Sequence, residues 1–228
     1  MQISSNNIKG VYRYHHDKKS RENFAFFEKD RGELFARLIG IGKKVLDLGC
    51  RDGTLTKYYS RGNYILGVDI DTHLLEKCRQ SLGIKTLEFN LNKEDWPWKK
   101  NYFDVVVAGE VLEHLYYPEL VIRNVLKTLK PGGILLGSVP NSFHIFDRLG
   151  FLFGRSPRGF ADETHVNLFS YGKIASLLGE YFFLVKITPL TGKKFYYLSL
   201  IWPSFFADDI VFWAKNKRFD DKSANYHT

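Results

Sequence analysis

The chain has 228 residues, of which 44% are hydrophobic, so it is long enough for one large domain and apolar enough for a substantial core. Its formal charge of +8 is spread over scattered lysines, and the sequence has no dense basic run of the kind that dedicated nucleic-acid binding needs. Two cysteines, Cys50 and Cys78, exclude a disulfide framework and favour a reducing cytoplasm, and no apolar run is long enough for a transmembrane segment.

The first 42 residues are predicted to be an N-terminal segment that ends in a helix. An aromatic and basic cluster lies at residues 12–16. Over residues 21–38, apolar side chains such as Phe24, Phe27 and Phe35 recur at helical spacing. This helix is expected either to cover a ligand site at the edge of a sheet or simply to pack against the sheet.

The predicted domain covers residues 43–214, and a loose tail follows at 215–228. Apolar runs predict strands at 45–48, 64–70, 86–89, 103–108, 134–139, 182–187 and 209–214. A short helix is expected after Gly53, and longer helices at 71–82, 119–129 and 171–181, with a turn at 130–133. The alternation predicts a doubly wound, mostly parallel sheet. The stretch after residue 140 is rich in Phe and Arg and shows no regular strand or helix pattern, so residues 141–169 are predicted to form a substrate loop.

The first strand leads into a glycine turn at residues 45–53, and this turn is the strongest local signal in the chain. Such a turn presents backbone N–H groups at the carboxyl edge of the sheet, and Gly49 allows a ligand to approach the main chain. Asp47 places a carboxylate at the strand end. A dinucleotide site usually has glycine where this chain has Arg51. The combination favours a ligand that carries an ammonium group and no phosphate.

The turn resembles motif I of the class I S-adenosylmethionine (SAM) methyltransferases, although Arg51 departs from the glycine pattern. The resemblance implies a Rossmann-like, doubly wound, seven-stranded sheet, mostly parallel with an antiparallel closing strand, and it implies SAM as the cofactor. Asp69, at the end of the second strand, has the spacing of an acid that accepts both ribose hydroxyls. The expected cofactor contacts are Asp47, Gly49, Cys50, Gly53, Asp69, Ile70, Asn90 and Leu91, with Asn90 and Leu91 at the adenine.

A second constellation, Glu110, Glu113 and His114, follows the fourth strand. If a helical turn begins at Glu110, the three side chains share one face beside the cofactor. They then have three possible roles. They bind a divalent metal, they supply a general base through His114, or they only cap the turn and form salt bridges.

This stretch resembles the ubiquinone-pathway O-methyltransferases and the small-RNA 2′-O-methyltransferases, which carry the same E-x-x-E-H pattern in association with a divalent metal. Both groups also have a later histidine, which corresponds to His165 here. The resemblance therefore implies Glu110, Glu113, His114 and His165 as catalytic residues, and Glu110, Glu113 and His114 as metal ligands.

The function that these patterns favour is SAM-dependent methyl transfer to an oxygen, less favourably a nitrogen, of a small molecule such as a sugar, a lipid-linked intermediate or a quinone-like compound. Two alternatives remain open: an RNA methyltransferase, including metal-assisted 2′-O-methylation, and a non-catalytic SAM-binding module. The aromatic and basic loop also allows weak peripheral contact with an anionic membrane surface.

Overall fold

A computed structural model describes residue 10, residues 24–157 and residues 162–217. The predicted cluster at residues 12–16, part of the predicted substrate loop (158–161) and most of the predicted tail lie outside the described residues. Within the described ranges, no helix has the length and apolar character needed to cross a membrane.

The strands are β1 (Lys44–Leu48), β2 (Tyr64–Asp69), β3 (Lys85–Glu88), β4 (Phe103–Gly109), β5 (Leu129–Pro140), β6 (Leu184–Leu190) and β7 (Asp209–Lys215). Five of them lie within one residue of their predicted bounds, whereas β5 begins five residues earlier than predicted and β6 is displaced by two to three residues towards the C-terminus. The α-helices are α1 (Glu28–Ile39), α2 (Lys57–Ser60), α3 (Thr72–Leu82), α4 (Pro118–Thr128), α5 (Ile145–Leu152), α6 (Tyr171–Gly179), α7 (Tyr196–Ile201) and α8 (Pro203–Phe206). Short 3-10 helices lie at Leu112–His114 and Lys193–Phe195.

The described strands form a seven-stranded sheet in the order β3-β2-β1-β4-β5-β7-β6. The neighbours from β3 to β5 are parallel, whereas β7 is antiparallel to both β5 and β6. This confirms the predicted fold. The strand order reverses between β1 and β4, and open sheets of this kind bind ligands at the carboxyl edge of such a reversal.

Successive side chains of the central strands point to opposite faces of the sheet and are apolar on both, which explains why helices cover both faces. In β4, Val105 and Val107 pack with Phe35 and Ile39 of α1. Val106, on the opposite face, belongs to a second core that includes side chains of α4 and α6, among them Ile122 and Ile174. A strand buried on both faces reads as a continuous apolar run, which is how β4 appears in the sequence.

Three local predictions are wrong. The helix predicted over 21–38 begins at Glu28, because Phe27 before it adopts a left-handed backbone with φ 48°. The predicted turn at 130–133 lies inside β5, where pairing with β4 shifts register between Phe103 and Val105. The predicted loop 141–169 contains α5, whose first turn is capped by the His144 side chain accepting a hydrogen bond from the Phe146 N–H at 3.3 Å.

Candidate active site

A cavity of about 670 Å³ lies at the carboxyl edge of the sheet, where the strand order reverses. Gly49 after β1, Ile70 after β2, Glu110 after β4 and Asn141 after β5 all line it. The parallel strands therefore bring distant parts of the chain together at one edge. The predicted site residues that line the cavity are Asp47, Gly49, Cys50, Asp69, Ile70, Asn90, Leu91, Glu110, Glu113, His114 and His165.

Gly53 is the predicted cofactor residue that the structure places elsewhere. It has φ +85°, and a Cβ at this position would lie 2.6 Å from Leu82 Cδ1 and 2.9 Å from Cys78 Sγ of α3. Glycine is therefore needed here to let the turn pack against α3. Cys50 and Cys78 are buried free thiols.

Asp47 is a buried carboxylate at the end of the cavity where the cofactor is predicted to bind. Its Oδ2 accepts hydrogen bonds from Thr56 Oγ1 at 2.6 Å and from Tyr59 Oη at 2.8 Å. Burial raises the pKa of Asp47 to about 6, although the two hydroxyl groups oppose this rise. At neutral pH the group is still largely ionised, so it is suited to pair with a ligand ammonium.

The glycine turn after β1 places Gly49 and Arg51 in left-handed backbone conformations. Gly49 has φ +68°, and a Cβ there would lie 2.7 Å from Val111 Cγ2, so a side chain would close the approach to the main chain. Arg51 has φ 52°, which is an uncommon conformation for a residue other than glycine. Its Nη1 donates to the Phe24 carbonyl at 3.2 Å. Arg51 thus adopts the backbone of the missing glycine and contacts the segment before α1.

Asp69 is held in position by the main chain. Its Oδ2 accepts a hydrogen bond from the Arg51 N–H at 3.1 Å, and its Oδ1 accepts one from the Asp71 N–H at 2.9 Å. Each carboxylate oxygen can accept more than one hydrogen bond, so these contacts orient the group without exhausting its capacity. Asp69 is buried and lines the cavity, as a ribose-binding acid must.

Asn90 and Leu91 lie after β3 on a turn that is held by hydrogen bonds from side chains of the same segment. Asn90 Oδ1 accepts a hydrogen bond from the Asn92 N–H at 3.0 Å, and Trp96 Nε1 contacts the Leu91 carbonyl at 3.4 Å. Both residues line the cavity next to Phe89. An apolar wall with a fixed polar turn suits a flat heteroaromatic ring such as adenine.

Glu110 does not share a helical face with Glu113 and His114, so that prediction is wrong. Glu110 has φ 56° and precedes the 3-10 helix, which comprises only Leu112–His114. Its Oε1 lies 2.8 Å from Arg31 Nη1 and accepts a hydrogen bond from Ser138 Oγ at 2.8 Å. Glu110 is therefore engaged by residues of α1 and β5.

The structure brings Glu113 and His114 together with His165 instead. One potential ligand atom from each of these three residues lies within 4.8 Å of the others. His114 Nδ1 is 3.1 Å from the Thr164 carbonyl oxygen. Because a carbonyl can only accept, Nδ1 carries the proton, and in the neutral ring the lone pair is then on Nε2. That Nε2 lies 3.9 Å from Glu113 Oε1.

Backbone hydrogen bonds explain how His165 arrives beside a histidine about fifty positions earlier. The Glu113 carbonyl accepts from the N–H groups of Val166 and Asn167, each at 2.9 Å. Asn167 Nδ2 also donates to the Leu115 carbonyl at 2.6 Å. These bonds fasten the segment around His165 to the 3-10 helix.

Glu113 is a buried acid whose surroundings favour the binding of a proton or a cation. Its side chain is 1% exposed, and neither carboxylate oxygen receives a hydrogen bond from another residue in the described part of the chain. Burial, reinforced by repulsion from Glu110, raises the pKa of Glu113 well above its ordinary value. A proton or a cation would relieve this unfavourable burial.

Sequence reasoning missed Arg31, Ser138 and Asp209. Arg31 is 2% exposed, and its Nη1 lies 2.9 Å from Ser138 Oγ and 3.6 Å from Asp209 Oδ2. Burial and the nearby Glu110 raise the pKa of Asp209 well above its ordinary value, against the influence of Arg31. One available signal was the position of Arg31 on the buried stripe of α1, four residues before Phe35.

The segment before α1 also reaches the site. Phe24, Phe26 and Phe27 line the cavity together with Arg31. The body of α1 packs on the sheet through Phe35. Among the described residues, the start of this helix and the residues just before it therefore line the cavity.

Comparison with known proteins identifies the family. A family profile described as a methyltransferase domain matches residues 14–183. A ubiquinone biosynthesis O-methyltransferase of Coxiella burnetii is 29% identical over 130 residues, which cover 53% of this chain and 56% of that protein. The mitochondrial ubiquinone biosynthesis O-methyltransferase of Rattus norvegicus is 33% identical over 139 residues, covering 54% of this chain and 39% of that protein. The chain thus spans about half the length, or less, of these curated relatives.

Solved structures share the fold at low sequence identity. A SAM-dependent methyltransferase of Thermotoga maritima, described as a possible histamine N-methyltransferase, superposes with a TM-score of 0.65 at 17% identity, covering 90% of this chain and 97% of that one. A SAM-dependent methyltransferase of Archaeoglobus fulgidus gives a TM-score of 0.60 at 17% identity, covering 83% of this chain and 98% of that one. The family match, the sheet order and the cavity at its reversal agree, and the chain belongs to the class I SAM-dependent methyltransferases.

Proposed function

We propose that this enzyme transfers the methyl group of SAM to a hydroxyl oxygen of a small molecule. The observation that carries the proposal is the cluster of Glu113, His114 and His165 in the same cavity as Asp47 and Asp69. The ubiquinone biosynthesis O-methyltransferases that the chain resembles are named for oxygen as the acceptor atom. The non-catalytic alternative is less favoured, because such a module has no need for paired histidines beside its cofactor.

In this proposal the first half of the cavity holds SAM. The ionised Asp47 pairs with the ammonium group of the methionine part, and the turn at Gly49 and Cys50 lies along it. Asp69, with Ile70 beside it, accepts the ribose hydroxyls. Asn90 and Leu91 contact the adenine. The support for these roles is the position of each residue at the end of a successive strand.

His114 is proposed as the general base. The acceptor oxygen attacks the methyl carbon in line with the carbon–sulfur bond, and that bond breaks as the new carbon–oxygen bond forms. Its electron pair returns to sulfur, which becomes a neutral thioether. The hydroxyl proton moves to His114 Nε2, which carries the lone pair because Nδ1 donates to the Thr164 carbonyl.

As an alternative to the general-base role of His114, the side chains of Glu113, His114 and His165 fit a divalent metal, which would take the lone pair of His114 Nε2 in place of the proton. A carboxylate and two imidazoles are a donor set that Zn²⁺ or Mn²⁺ accepts, and the buried Glu113 oxygens receive no hydrogen bond from another described residue. His165 replaces Glu110 of the original prediction, because Glu110 is held by Arg31. A bound ion would supply its positive charge to lower the pKa of the acceptor hydroxyl.

The charge of the cavity favours a small acceptor over RNA. Asp147, Asp162 and Asp208 line it in addition to the acids already described. Carboxylates at this density repel a phosphate backbone, whereas RNA-binding sites are lined by Lys and Arg. The net charge of +8 is therefore not evidence for RNA at this site.

Labelled SAM provides the test. The enzyme is incubated with methyl-labelled SAM and with the lipid, aqueous small-molecule and RNA fractions of a cell extract. Label is expected in a small-molecule or lipid product that resists ribonuclease and mild base, as an ether does. Label that ribonuclease releases from the RNA fraction, or transfer to no fraction at all, would contradict the proposed acceptor class.

A further inference from the structure

A large apolar surface lies next to the cavity, on α5 and on the α7–α8 pair. At the end of α5, Phe151, Leu152 and Phe153 are 68%, 77% and 81% exposed. On α7 and just after it, Tyr197, Ile201 and Trp202 are 78%, 66% and 57% exposed. We call these six side chains the aromatic face. Exposed apolar groups at this density mark an interaction surface.

Contacts between neighbouring side chains join the two helical regions that carry the aromatic face. Phe146 of α5 lies 5.7 Å from Phe195, measured between ring centroids, and Phe195 stacks on Phe206 of α8 at 5.6 Å. The Arg148 guanidinium lies 4.2 Å from the centroid of the Phe205 ring. The two helical regions therefore form one continuous surface.

The acid of α5, Asp147, is buried, and the charges on the rest of these segments have a single sign. Residues 148–157 and 192–207 contain no Asp or Glu, and their charged residues are Arg148, Arg155, Lys193 and Lys194. The two lysines and Arg155 are exposed. Aromatic side chains flanked by cations match the interfacial region of an anionic bilayer, where Trp and Tyr rings lie at the headgroups and Lys and Arg meet lipid phosphates.

The aromatic face also adjoins the acceptor end of the cavity. Asp147 of α5 lines the cavity, and so does Gly192, which directly precedes Lys193. The segments that line the cavity here thus continue directly into the exposed aromatic residues. Binding through the aromatic face would bring the mouth of the cavity close to the lipid headgroups.

We propose that the aromatic face docks this enzyme on the surface of a bilayer that contains anionic lipids. The apolar side chains enter the headgroup region while Arg155, Lys193 and Lys194 contact phosphates. The interaction is peripheral and reversible, because its elements are short helices that lie on the membrane.

Co-sedimentation with vesicles tests the proposal without any need for the methyl acceptor. The full chain is mixed with vesicles of phosphatidylcholine alone or of phosphatidylcholine with phosphatidylglycerol. The protein is expected to partition at least about tenfold more strongly to the anionic vesicles, and less so at high salt. Equal partition to both vesicle types, or none to the anionic ones, would overturn the proposal.

Two combined variants separate the apolar contribution to membrane binding from the electrostatic one. Combining Leu152→Ser, Phe153→Ser, Tyr197→Ser and Ile201→Ser should lower partition to anionic vesicles at least about tenfold, since these side chains are exposed and their loss leaves the core intact. The control is Ile41→Ser, because Ile41 is 79% exposed but precedes β1 at the opposite edge of the sheet. Combining Lys193→Glu and Lys194→Glu should have a similar effect, whereas the matched reversal of Lys99 and Lys100, before β4, should not.

A second copy of the chain is the competing occupant of the aromatic face. Light scattering distinguishes it, because a subunit interface would give a dimer that the apolar variant separates into monomers. A dimer of this kind together with unchanged vesicle partition in the apolar variant would replace the proposal. A monomer whose vesicle binding falls in both variants would support it.

Discussion

Asp47 and Asp69 lie at the ends of adjacent strands but are held differently. Asp47 accepts its hydrogen bonds from the hydroxyl groups of Thr56 and Tyr59, whereas Asp69 accepts them from backbone N–H groups. Burial in this setting raises the pKa of Asp47 to about 6. The charge available for a ligand ammonium is therefore sensitive to pH in a range where the protein can be studied.

SAM affinity is expected to fall as the pH drops below about 6. Protonation at low pH neutralises Asp47, so each pH unit below about 6 should weaken SAM binding by up to about tenfold, until the titration of other groups also affects the affinity. Calorimetric titration of the wild-type enzyme with SAM between about pH 8 and pH 5 measures this. Asp47→Asn should bind weakly and show a flatter pH dependence. A wild-type affinity that is constant across this range would show that Asp47 does not pair with the ammonium.

At the residue scale, much of the cofactor half of the site was predictable from sequence. The positions of Asp47 and Gly49 at the carboxyl edge of the sheet follow from one strand-turn-helix unit, and that of Asp69 from the end of the next strand, because local geometry determines where they lie. Gly53 was predicted to lie at the cofactor but packs against Cys78 and Leu82, which belong to a helix whose packing no local pattern reveals. His165 was found only through a family resemblance.

At the scale of single elements, α1 contributes more than a packing surface. Arg31 reaches from this helix to Glu110 and Ser138, and it lies near Asp209 of β7. The arrangement connects the start of α1 to the loop that carries the predicted catalytic residues. A buried cation paired in this way is costly to remove, because the carboxylate left behind has lost its partner.

Arg31→Met is expected to destabilise the protein by about 3 kcal/mol, because it leaves the Glu110 carboxylate without its cation. Adding Glu110→Gln should restore part of the loss. Urea unfolding of both variants and of Glu110→Gln alone forms a double-mutant cycle that isolates the pair. The exposed pair of Lys29 and Glu33 on the same helix provides a control, since Lys29→Met should change stability by less than about 0.5 kcal/mol. An equally small effect of Arg31→Met would contradict the assigned role.

Whether an element could be predicted depended on how regular its sequence is. The strands β1 and β4 are short apolar runs with clear ends, and both were placed to within a residue or two. The helix α5 was missed because its sequence contains a glycine, and because most of its exposed side chains are apolar, whereas an amphipathic helix is recognised by a polar exposed face. The unpredicted helices α7 and α8 are likewise rich in apolar and aromatic residues.

At the scale of the whole molecule, the sheet places the residues predicted to bind the cofactor beside those predicted to act on the acceptor. Parallel strands bring Asp47, Asp69 and Asn90 to one part of the carboxyl edge, and the chain after β4 brings His114 beside them. The doubly wound, mostly parallel sheet was predictable from the alternation of elements. The meeting of Glu113, His114 and His165 was implied only by the family resemblance, because it depends on backbone hydrogen bonds between segments that are far apart in sequence.

The central claim is that SAM binds at one end of this cavity while His114 serves the acceptor at the other. The most direct test is the His114→Asn variant with two measurements. The first is transfer of labelled methyl groups to the cell-extract fraction that the wild-type enzyme methylates, and the second is SAM affinity by calorimetry. Asparagine can still donate a hydrogen bond from near the Nδ1 position to the Thr164 carbonyl, but it cannot accept the proton. Methyl transfer should fall at least about 100-fold while SAM affinity changes by less than about threefold. Wild-type transfer, or lost SAM binding, would contradict the account.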